Sequence, residues 1–564
     1  MRTVHIPHIV LLLCFSYPVF AQDENRSDAT LPDATLTLRE HTESLIRQLG
    51  DDSYANREAA YEKLRQSGPA VFFYLQAAVK DKDVEIAERV KELLQYVEPG
   101  WISSEDDKDV KELMQRYTDA ETVEAKIELI GRLTDWEGDF FANGRGIGAL
   151  CRILLYEHEP LVRAEAAREI IAVPPLRYTV RQKWFESASE LLTGVKNDML
   201  VDMTVFFAKT RAKAIAYREK TMFQDNPESP GDELVQDART LGDMIKKFRD
   251  HREYYEGRRG TNTDILLFYA LAEVYDALQM EHELNDTLYK ALDVIAVMTE
   301  EGISPYASHW LAAKYLELRD LAQWAKNEYT LVLKKEPRFE ASVLVSLSFL
   351  NVELDNLLEA AEQLEAAIEA IADPMSPRND FTGNVGMLRA RHKYMLAKTA
   401  FDNDKIEDAK KYLDEAAVFY PDEADCLILR YKIGLKDRDH EFQKKTDELM
   451  KHSLSDLNLK MRSLMNFATP NKQYSLPYNQ AAWLLANTGG DYAIALPAAK
   501  KALDLDPEYP GVLDTLGHAY LLGEEYDLAI ETQKTAVMYA PQVKVFRDVL
   551  KRFEEAKRKS LELE

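Results

Sequence analysis

The sequence predicts an all-α protein in which helical hairpins stack side by side into a solenoid. Two observations lead to this prediction. Segments near the C-terminus repeat each other at a spacing of about 34 residues, and no stretch of the 564 residues alternates polar and apolar side chains as a strand does. Charged residues make up 30% of the chain and hydrophobic residues 46%, which suits solvated helices around a large core. A single hairpin cannot bury its own apolar face, so repeated units must stack.

The clearest repeat lies between residues 478 and 541, where YNQAAWLLANTGGDYAIALPAAKKALDLDP precedes VLDTLGHAYLLGEEYDLAIETQKTAVMYAP. Small residues such as Ala495 and Ala529 let two helices approach closely, and Pro507 and Pro541 end the second helix of each unit. Residues at equivalent positions are the pairs Ala482 and Leu516, Trp483 and Gly517, Ala486 and Tyr520, Ala495 and Ala529, Ala502 and Ala536, and Pro507 and Pro541. This pattern resembles the tetratricopeptide repeat (TPR), whose signature positions fall on Leu516, Gly517, Tyr520, Ala529, Ala536 and Pro541.

The resemblance implies a superhelix of two-helix units, and weaker copies of the same frame occur upstream. We therefore predict a TPR array of seven units over residues 261–541. The segment 542–564 predicts a capping helix, because it has one apolar stripe and a charged opposite face. The signature residues of two upstream copies are Ala312, Ala313, Ala325, Tyr329 and Pro337, and Leu396, Ala397, Ala409, Ala416 and Pro421.

The N-terminal third repeats at a different spacing. DVEIAERVKELL at residues 83–94 aligns with PLVRAEAAREII at 160–171, and a weaker copy starts at Val123, midway between the two. A unit of roughly 40 residues is similar to HEAT-type repeats, although generic helical hairpins produce the same spacing. We predict HEAT-like repeats over 37–175 and a helical connecting region over 176–260.

The N-terminus has the pattern of a secretory signal peptide over residues 1–21. Arg2 forms a positive n-region, an apolar stretch follows, and the segment from Val19 to Ala21 predicts cleavage after Ala21. The alternative is an uncleaved membrane anchor, but the apolar stretch is shorter than the roughly 20 residues needed to span a bilayer. We expect an exported protein, periplasmic or extracellular, with a flexible segment at 22–36 and no integral membrane segment after cleavage.

The charge balance narrows the classes of partner. The net charge of −26 repels phosphate backbones, so we expect no nucleic acid. Protein or peptide ligands, basic or amphipathic, are better candidates. Cys151 and Cys426 lie far apart on predicted apolar helix faces, which favours buried thiols over a disulfide.

Two patterns imitate chemical sites. NGRGIGA at 143–149 superficially resembles a dinucleotide fingerprint, but no strand precedes it, so we predict a loop before a helix over 147–156. Three histidines, His158, His282 and His440, each lie between two acids. Consecutive helical residues point about 100° apart and cannot chelate one ion, so we expect the acids to cap helices. The sequence therefore predicts no catalytic residue, no metal site and no cofactor.

The TPR resemblance implies that positions 2, 5, 9 and 12 of each first helix point into a concave groove. A basic and aromatic patch there would receive an extended peptide or its carboxylate, and the alternative is ordinary solvated helix residues. We expect Arg391 and Tyr394 to be partly exposed. His518, four residues after Asp514, is equally consistent with a binding role and with a solvated histidine that has no ligand. The predicted groove residues are Trp310, Lys314, Arg391, Tyr394, Lys398, Phe401, Gln480, Asn487, Asp514 and His518.

These features together favour a non-catalytic scaffold or adaptor for protein–protein interaction in the cell envelope or outside the cell. One alternative is an accessory factor in envelope assembly or secretion. A second alternative is an enzyme with a site at the solenoid junction near 176–260, which would show a deep pocket with converging titratable groups.

Overall fold

A computed structural model describes residues 34–563 in part, and every statement about structure below refers to the residues that it describes. The ranges left out are 68–70, 98–100, 135–143, 158, 173–177, 193–198, 225–226, 257–261, 295–305, 337–338, 373–380, 382, 438 and 465–473. The described residues form α-helices and contain no strand, which confirms the all-α fold. The predicted signal peptide and most of the segment 22–36 lie outside these residues.

The chain divides into two compact units, residues 22–291 and 292–564, here called the N-terminal unit and the C-terminal unit. The last helix of the N-terminal unit runs one residue past this division. The helices of the N-terminal unit are α1 Ala34–Gln48, α2 Tyr54–Gln66, α3 Phe72–Ala78, α4 Val84–Leu93, α5 Lys108–Asp119, α6 Val123–Arg132, α7 Ile147–Tyr156, α8 Pro160–Ala172, α9 Tyr178–Leu192, α10 Met199–Thr221, α11 Asp232–Glu256, α12 Asn262–Ala277 and α13 Glu281–Leu292.

Local side-chain caps begin several helices of the N-terminal unit. Asp83 accepts hydrogen bonds from the amides of Glu85 and Ile86 at the start of α4, and Asp107 does the same for the first turn of α5. These oxygens satisfy amide groups that have no partner inside the helix. The core centres on α8, which packs against α6, α7, α10 and α12. Whether these hairpins are of the HEAT type stays a prediction, as do the predicted domain limits.

The glycine-rich loop at 144–146 packs against the end of α6. Helix α7 begins at Ile147 and ends at Tyr156, as predicted. A Cβ atom at Gly146 would lie 2.3 Å from the carbonyl oxygen of Leu133. Glycine is needed there because the backbone of the loop touches the end of α6.

The C-terminal unit consists of six consecutive hairpins and a final single helix. Their bounds are α14 Ala307–Leu318, α15 Ala322–Lys335, α16 Glu340–Glu353, α17 Leu357–Ala372, α18 Val385–Asp402, α19 Ile406–Phe419, α20 Ala424–Asp437, α21 His440–Leu464, α22 Ser475–Asn487, α23 Tyr492–Leu505, α24 Pro510–Leu522, α25 Tyr526–Tyr539 and α26 Lys544–Leu563. The prolines at 507 and 541 follow the ends of α23 and α25 by two residues, as the repeat predicts.

One turn geometry recurs along the array. Asp320, Asp355, Asp404, Gly489 and Glu524 each follow a first helix with φ between 56° and 66°. In each case the next amide donates to a carbonyl five residues back, which closes the helix end as a Schellman motif. The turn between α12 and α13 has the same geometry, with Gln279 at φ 57°. The repeated turn is structural support for repeated hairpins.

The last helix, α26, packs on the end of the array. Val545, Val549 and Phe553 are buried along one face of α26, which packs against α25. A Cβ atom at Gly517 would lie 3.0 Å from the Phe553 ring and 3.1 Å from Gln533 Oε1, so the small residue of the repeat allows this close packing.

The C-terminal unit curves until its last loop meets its first hairpins. The Gln323 amide donates to Gln542 Oε1 at 3.0 Å, across 219 residues of sequence. Lys544 Nζ lies 3.0 Å from Asp355 Oδ2, also between the last helix and the first hairpins. Exposed polar contacts of this kind each contribute little to stability. They show that the first and last hairpins of the C-terminal unit lie close together.

Cys151 and Cys426 are both buried and form no disulfide, which confirms the thiol prediction. Burial raises the pKa of the Cys151 thiol to about 12, so it stays protonated and unreactive. Among the described helices, none combines the length and the apolar character that a bilayer crossing needs.

Candidate functional site

The first helices α18, α20, α22, α24 and α26 share one surface of the C-terminal unit, here called the inner face. Their side chains contact each other from helix to helix. The inner face is marked by Arg391, Asp425, Trp483, His518 and Phe553, one residue from each helix.

Arg391 on α18 is held in a buried ion-pair cluster. Its Nη1 lies 2.5 Å from Glu423 Oε1 and 2.6 Å from Asp425 Oδ2, and all three residues are at most 5% exposed. Burial lowers the pKa of the guanidinium, but the two carboxylates outweigh that effect and raise it. The expectation that Arg391 is partly exposed is therefore wrong, because the next hairpin supplies two acidic side chains that enclose it.

Tyr394, one turn further along α18, is also buried rather than partly exposed. Only 2% of it is accessible, and its hydroxyl has no hydrogen-bond partner among the described residues. Burial and the nearby Asp425 carboxylate raise the pKa of this phenol well above its usual value. Tyr394 is therefore a neutral donor whose hydrogen-bonding capacity is unused within the described residues.

Lys398 and Phe401 complete the predicted groove residues of α18. Lys398 is 2% exposed and forms an ion pair with Asp402, one turn later on the same helix. Phe401 is half-buried, and Lys436 Nζ lies 5.3 Å from the centre of its ring. Both predicted residues therefore have partners within the unit.

Asp425 connects the ion-pair cluster to an aromatic chain. Its Oδ1 accepts a hydrogen bond from Trp483 Nε1 at 3.0 Å. The Trp483 and His518 rings pack edge-on with 4.9 Å between their centres. The His518 and Phe553 rings also pack edge-on, with 5.0 Å between their centres. The contacts therefore cross four helices, from α20 to α26.

His518 is not a solvated histidine. It is 7% exposed, and its Nε2 is buried without a hydrogen-bond partner in the described structure. Burial, followed by repulsion from Arg552 and Lys432, holds its pKa well below the usual value. The imidazole is therefore neutral at physiological pH.

Asp514 lies one turn before His518 on α24, as the spacing predicts. It is 2% exposed and accepts a hydrogen bond from Gln533 Nε2 at 2.8 Å. Burial raises its pKa to about 7, against the opposing effects of Gln533 and Arg552. The carboxyl group is therefore partly protonated near neutral pH.

Two cations of the inner face were not predicted. Lys432 on α20 forms no hydrogen bond or ion pair with any described residue, and burial together with repulsion from Arg552 lowers its pKa to about 8. Arg552 on α26 is likewise without an ion pair in the described part of the chain, and burial lowers its pKa. The repeat offered a signal for both, because Lys432 follows Lys398 by one repeat length, as Arg552 follows His518.

The remaining predicted groove residues lie on α14 and α22. Trp310 on α14 stacks on Phe339 at 4.9 Å, and Lys314 Nζ lies 3.9 Å from the centre of the indole ring. On α22, Asn487 Nδ2 donates to the carbonyl oxygen of Trp483 at 3.0 Å, and Gln480 is half-buried. The structure therefore does not join all ten residues into one site.

The acids beside the histidines act as helix caps where they are described. Asp439 Oδ1 accepts hydrogen bonds from the amides of Glu441 and Phe442. Glu157 Oε1 accepts a hydrogen bond from the amide of Glu159, before α8, and His158 itself lies outside the described residues. Within the described ranges, no group of three histidine, cysteine or acidic side chains is placed to hold a metal ion.

Comparison with known proteins finds similarity only among solved structures. No protein-family model matches the sequence, and no curated protein matches it either. A TPR protein from Parabacteroides merdae is 13% identical, with 62% of this chain and 99% of that chain covered and a TM-score of 0.26.

Two larger structures are similar over more of the chain. Yeast Tom70 is 15% identical, with 89% of this chain and 97% of that chain covered and a TM-score of 0.25. A chain of the Cut9–Hcn1 hetero-tetramer of APC/C is 12% identical, with 92% and 99% covered and a TM-score of 0.27. At these TM-scores, the evidence for stacked hairpins is the protein's own repeated turns and helix packing.

Proposed function

We propose that this protein is a non-catalytic scaffold or adaptor that binds a polypeptide partner on the inner face of its C-terminal unit. The observation that supports this proposal is a set of hydrogen-bonding groups, two buried and two partly exposed, that the described chain does not use. These groups are the Tyr394 hydroxyl, His518 Nε2 and the side chains of Lys432 and Arg552. Polar groups at buried positions are normally satisfied, so unused ones indicate a site for a ligand.

Two buried aromatic rings pack beside these polar groups. Trp483 and Phe553 flank His518 on two sides. The contacts that the described residues give His518 are with two aromatic rings and not with a hydroxyl or thiol nucleophile, so we propose a binding role for this cluster and not a catalytic one.

The proposal is tested by blocking the inner face. Lys432→Trp places a large side chain on that face, whereas Lys436→Trp makes the same change at an exposed position one turn further along α20. Partners are captured on the purified full chain and identified by mass spectrometry, with helicity checked by circular dichroism. We expect Lys432→Trp to lose partners that Lys436→Trp retains. Equal capture by both variants would place the binding surface elsewhere.

We further propose that the protein is exported and works in the cell envelope or outside the cell, where an accessory role in assembly or secretion is one form of the scaffold function. The sequence pattern at residues 1–21 supports this proposal. N-terminal sequencing of the protein from fractionated cells should find a chain that begins at Gln22. Recovery of intact Met1 on cytosolic protein would contradict export.

A further inference from the structure

The end of the C-terminal unit contacts its first two hairpins through turns and loops. The Gln323 amide at the start of α15 accepts a partner in Gln542 Oε1, 3.0 Å away in the loop after α25, to which it donates. Lys544, the first residue of α26, lies 3.0 Å from Asp355 in the turn between α16 and α17. The hairpins between these contacts therefore form a closed loop, and the inner face belongs to that part of the chain.

This closure differs from the packing between consecutive hairpins. Neighbouring helices such as α17 and α18, or α25 and α26, pack extensively against each other. Among the described residues, no helix from α14 to α17 packs in this way against a helix from α24 to α26. The Lys544 side chain in the closing ion pair is 48% exposed, and exposed ion pairs contribute little to stability. The closure should therefore open at a small cost in free energy, without unfolding a hairpin.

The inner face is covered while the loop of hairpins is closed. His518 and Arg391 are both buried, and the Trp483 and Phe553 rings contact His518 on two sides. Phe553 lies on α26, and the first residue of that helix is Lys544 of the closing ion pair. The contact that closes the loop therefore also holds the helix that covers His518.

We infer that the contacts of Gln323 with Gln542 and of Lys544 with Asp355 form a latch that controls access to the inner face. With the latch closed, the curvature of the hairpins is fixed and His518 stays covered. With the latch open, small rotations between neighbouring hairpins add up along the array and expose the inner face to a polypeptide partner. A partner that binds only the open form shifts the equilibrium toward it. The inference rests on the proposed function and adds a conformational step to it.

His518 serves as the reporter of latch opening. Diethyl pyrocarbonate modifies the unprotonated nitrogen of a neutral imidazole, and burial keeps the pKa of His518 well below its usual value. Its Nε2 has no hydrogen-bond partner in the described structure, so burial is what protects it from the reagent. Mass spectrometry of the purified full chain measures the rate of modification at His518. That rate is divided by the rate at the exposed His440, and the quotient is here called the rate ratio.

Two substitutions should open the latch. Asp355→Asn removes the ion pair, and asparagine tolerates the φ of 66° at this turn position. Lys544→Glu replaces attraction with repulsion, and the helix dipole favours an acid at the start of α26, so the helix should keep its structure. We expect Asp355→Asn to raise the rate ratio by up to about fivefold, the equivalent of about 1 kcal/mol. Lys544→Glu should raise the rate ratio further.

A matched variant and the salt dependence separate the latch from local effects. Asp404 occupies the same turn position in another hairpin, with φ of 56°, and pairs with Lys436 on the adjacent hairpin. Asp404→Asn should therefore leave the rate ratio unchanged. Salt screens attraction and repulsion alike, so the rate ratio should rise with ionic strength in the wild type and fall in Lys544→Glu.

A cross-link holds the latch closed. Gln323→Cys and Gln542→Cys are combined with Cys14→Ser, and a short flexible bismaleimide joins the two new thiols. Cys151 and Cys426 are buried, so they should not compete for the reagent. We expect the rate ratio of the cross-linked chain to be about fivefold lower than that of the same chain without the reagent, because modification follows the open fraction.

Three results would overturn the inference. Equal rate ratios for the wild type, Lys544→Glu and the cross-linked chain would show that the inner face is reached without opening the latch. An increase in Asp404→Asn as large as that in Asp355→Asn would assign the effect to the turn and not to the closure. Failure of the cross-link to form would show that the two ends are apart. None of these results bears on the proposed function, which the partner-capture experiment decides separately.

Discussion

Arg391 and Asp425 occupy the same position of consecutive hairpins and form a buried ion pair with 2.6 Å between Nη1 and Oδ2. Glu423 approaches the same nitrogen to 2.5 Å. The cluster therefore joins two consecutive hairpins of the C-terminal unit. Each charged side chain is stable at its buried position only because its oppositely charged partners are present.

Arg391→Ala should destabilise the C-terminal unit by about 3–5 kcal/mol, because it leaves Glu423 and Asp425 buried without a cation. Urea unfolding measures this loss, and hydrogen exchange should show faster opening of α18 and α20. Arg389→Ala is the matched control, since Arg389 is exposed two residues earlier on the same helix. Similar unfolding midpoints for the two variants would contradict the structural role of the ion pair.

Asp514→Asn should stabilise the protein at pH 8 and have little effect at pH 4. Burial raises the folded-state pKa of Asp514 from 3.8 to about 7, so the folded state holds a proton that the unfolded state releases. The stability of the wild type therefore falls as pH rises from 3.8 to about 7. The loss is at most about 4 kcal/mol, at roughly 1.4 kcal/mol per pKa unit. Asparagine avoids this cost and still accepts from Gln533. The measurement is the free energy of unfolding of the wild type and of Asp514→Asn at pH 4 and pH 8. An equal difference between the two proteins at both pH values would contradict the raised pKa.

The protein should lose stability as pH rises, because its folded state favours the protonated form of His309. Its Nδ1 lies 2.6 Å from Glu328 Oε2 and its Nε2 lies 2.7 Å from the carbonyl oxygen of Val294. Both partners are acceptors, so both nitrogens donate only in the imidazolium form. Burial lowers the pKa of His309, but Glu328 and the Val294 carbonyl outweigh it and raise the pKa above 6.5.

This stabilisation is fully present below pH 6.5 and is lost as pH rises through the folded-state pKa. The measurement is the unfolding midpoint from pH 6 to 9 for the wild type and for His309→Gln, which does not titrate. We expect the difference between the two proteins to shrink as pH rises. A constant difference across this range would show that His309 is already neutral at pH 6.

The closure of the C-terminal unit is tested by the contact between Lys544 and Asp355. Their side chains lie 3.0 Å apart, so a carbodiimide, which adds no spacer, should join the amine and the carboxylate in an amide bond. Digestion and mass spectrometry should recover the linked peptides. Lys544→Arg keeps the positive charge but removes the reactive amine and should abolish the product. Absence of the product from the wild type would show that the unit is open in solution.

The sequence alone predicted helical hairpins in the C-terminal unit and the ends of two of their second helices. A helix end depends on nearby residues, such as Pro507 after α23 and Pro541 after α25, and these are visible without any knowledge of the fold. The capping roles of the acids around His440 and the burial of Cys151 and Cys426 follow from equally local patterns. The repeat also identified the first helices as one surface.

Only the tertiary structure decided which side chains of that surface satisfy each other. Arg391 and Tyr394 were expected at an accessible groove, but they are buried because Asp425 and Glu423 of the next hairpin close over them. The period shows that Lys432 and Arg552 are equivalent without showing that they are neighbours. Their proximity depends on how far the stacked hairpins curve, and that curvature is the sum of many small packing rotations that no local stretch of sequence specifies.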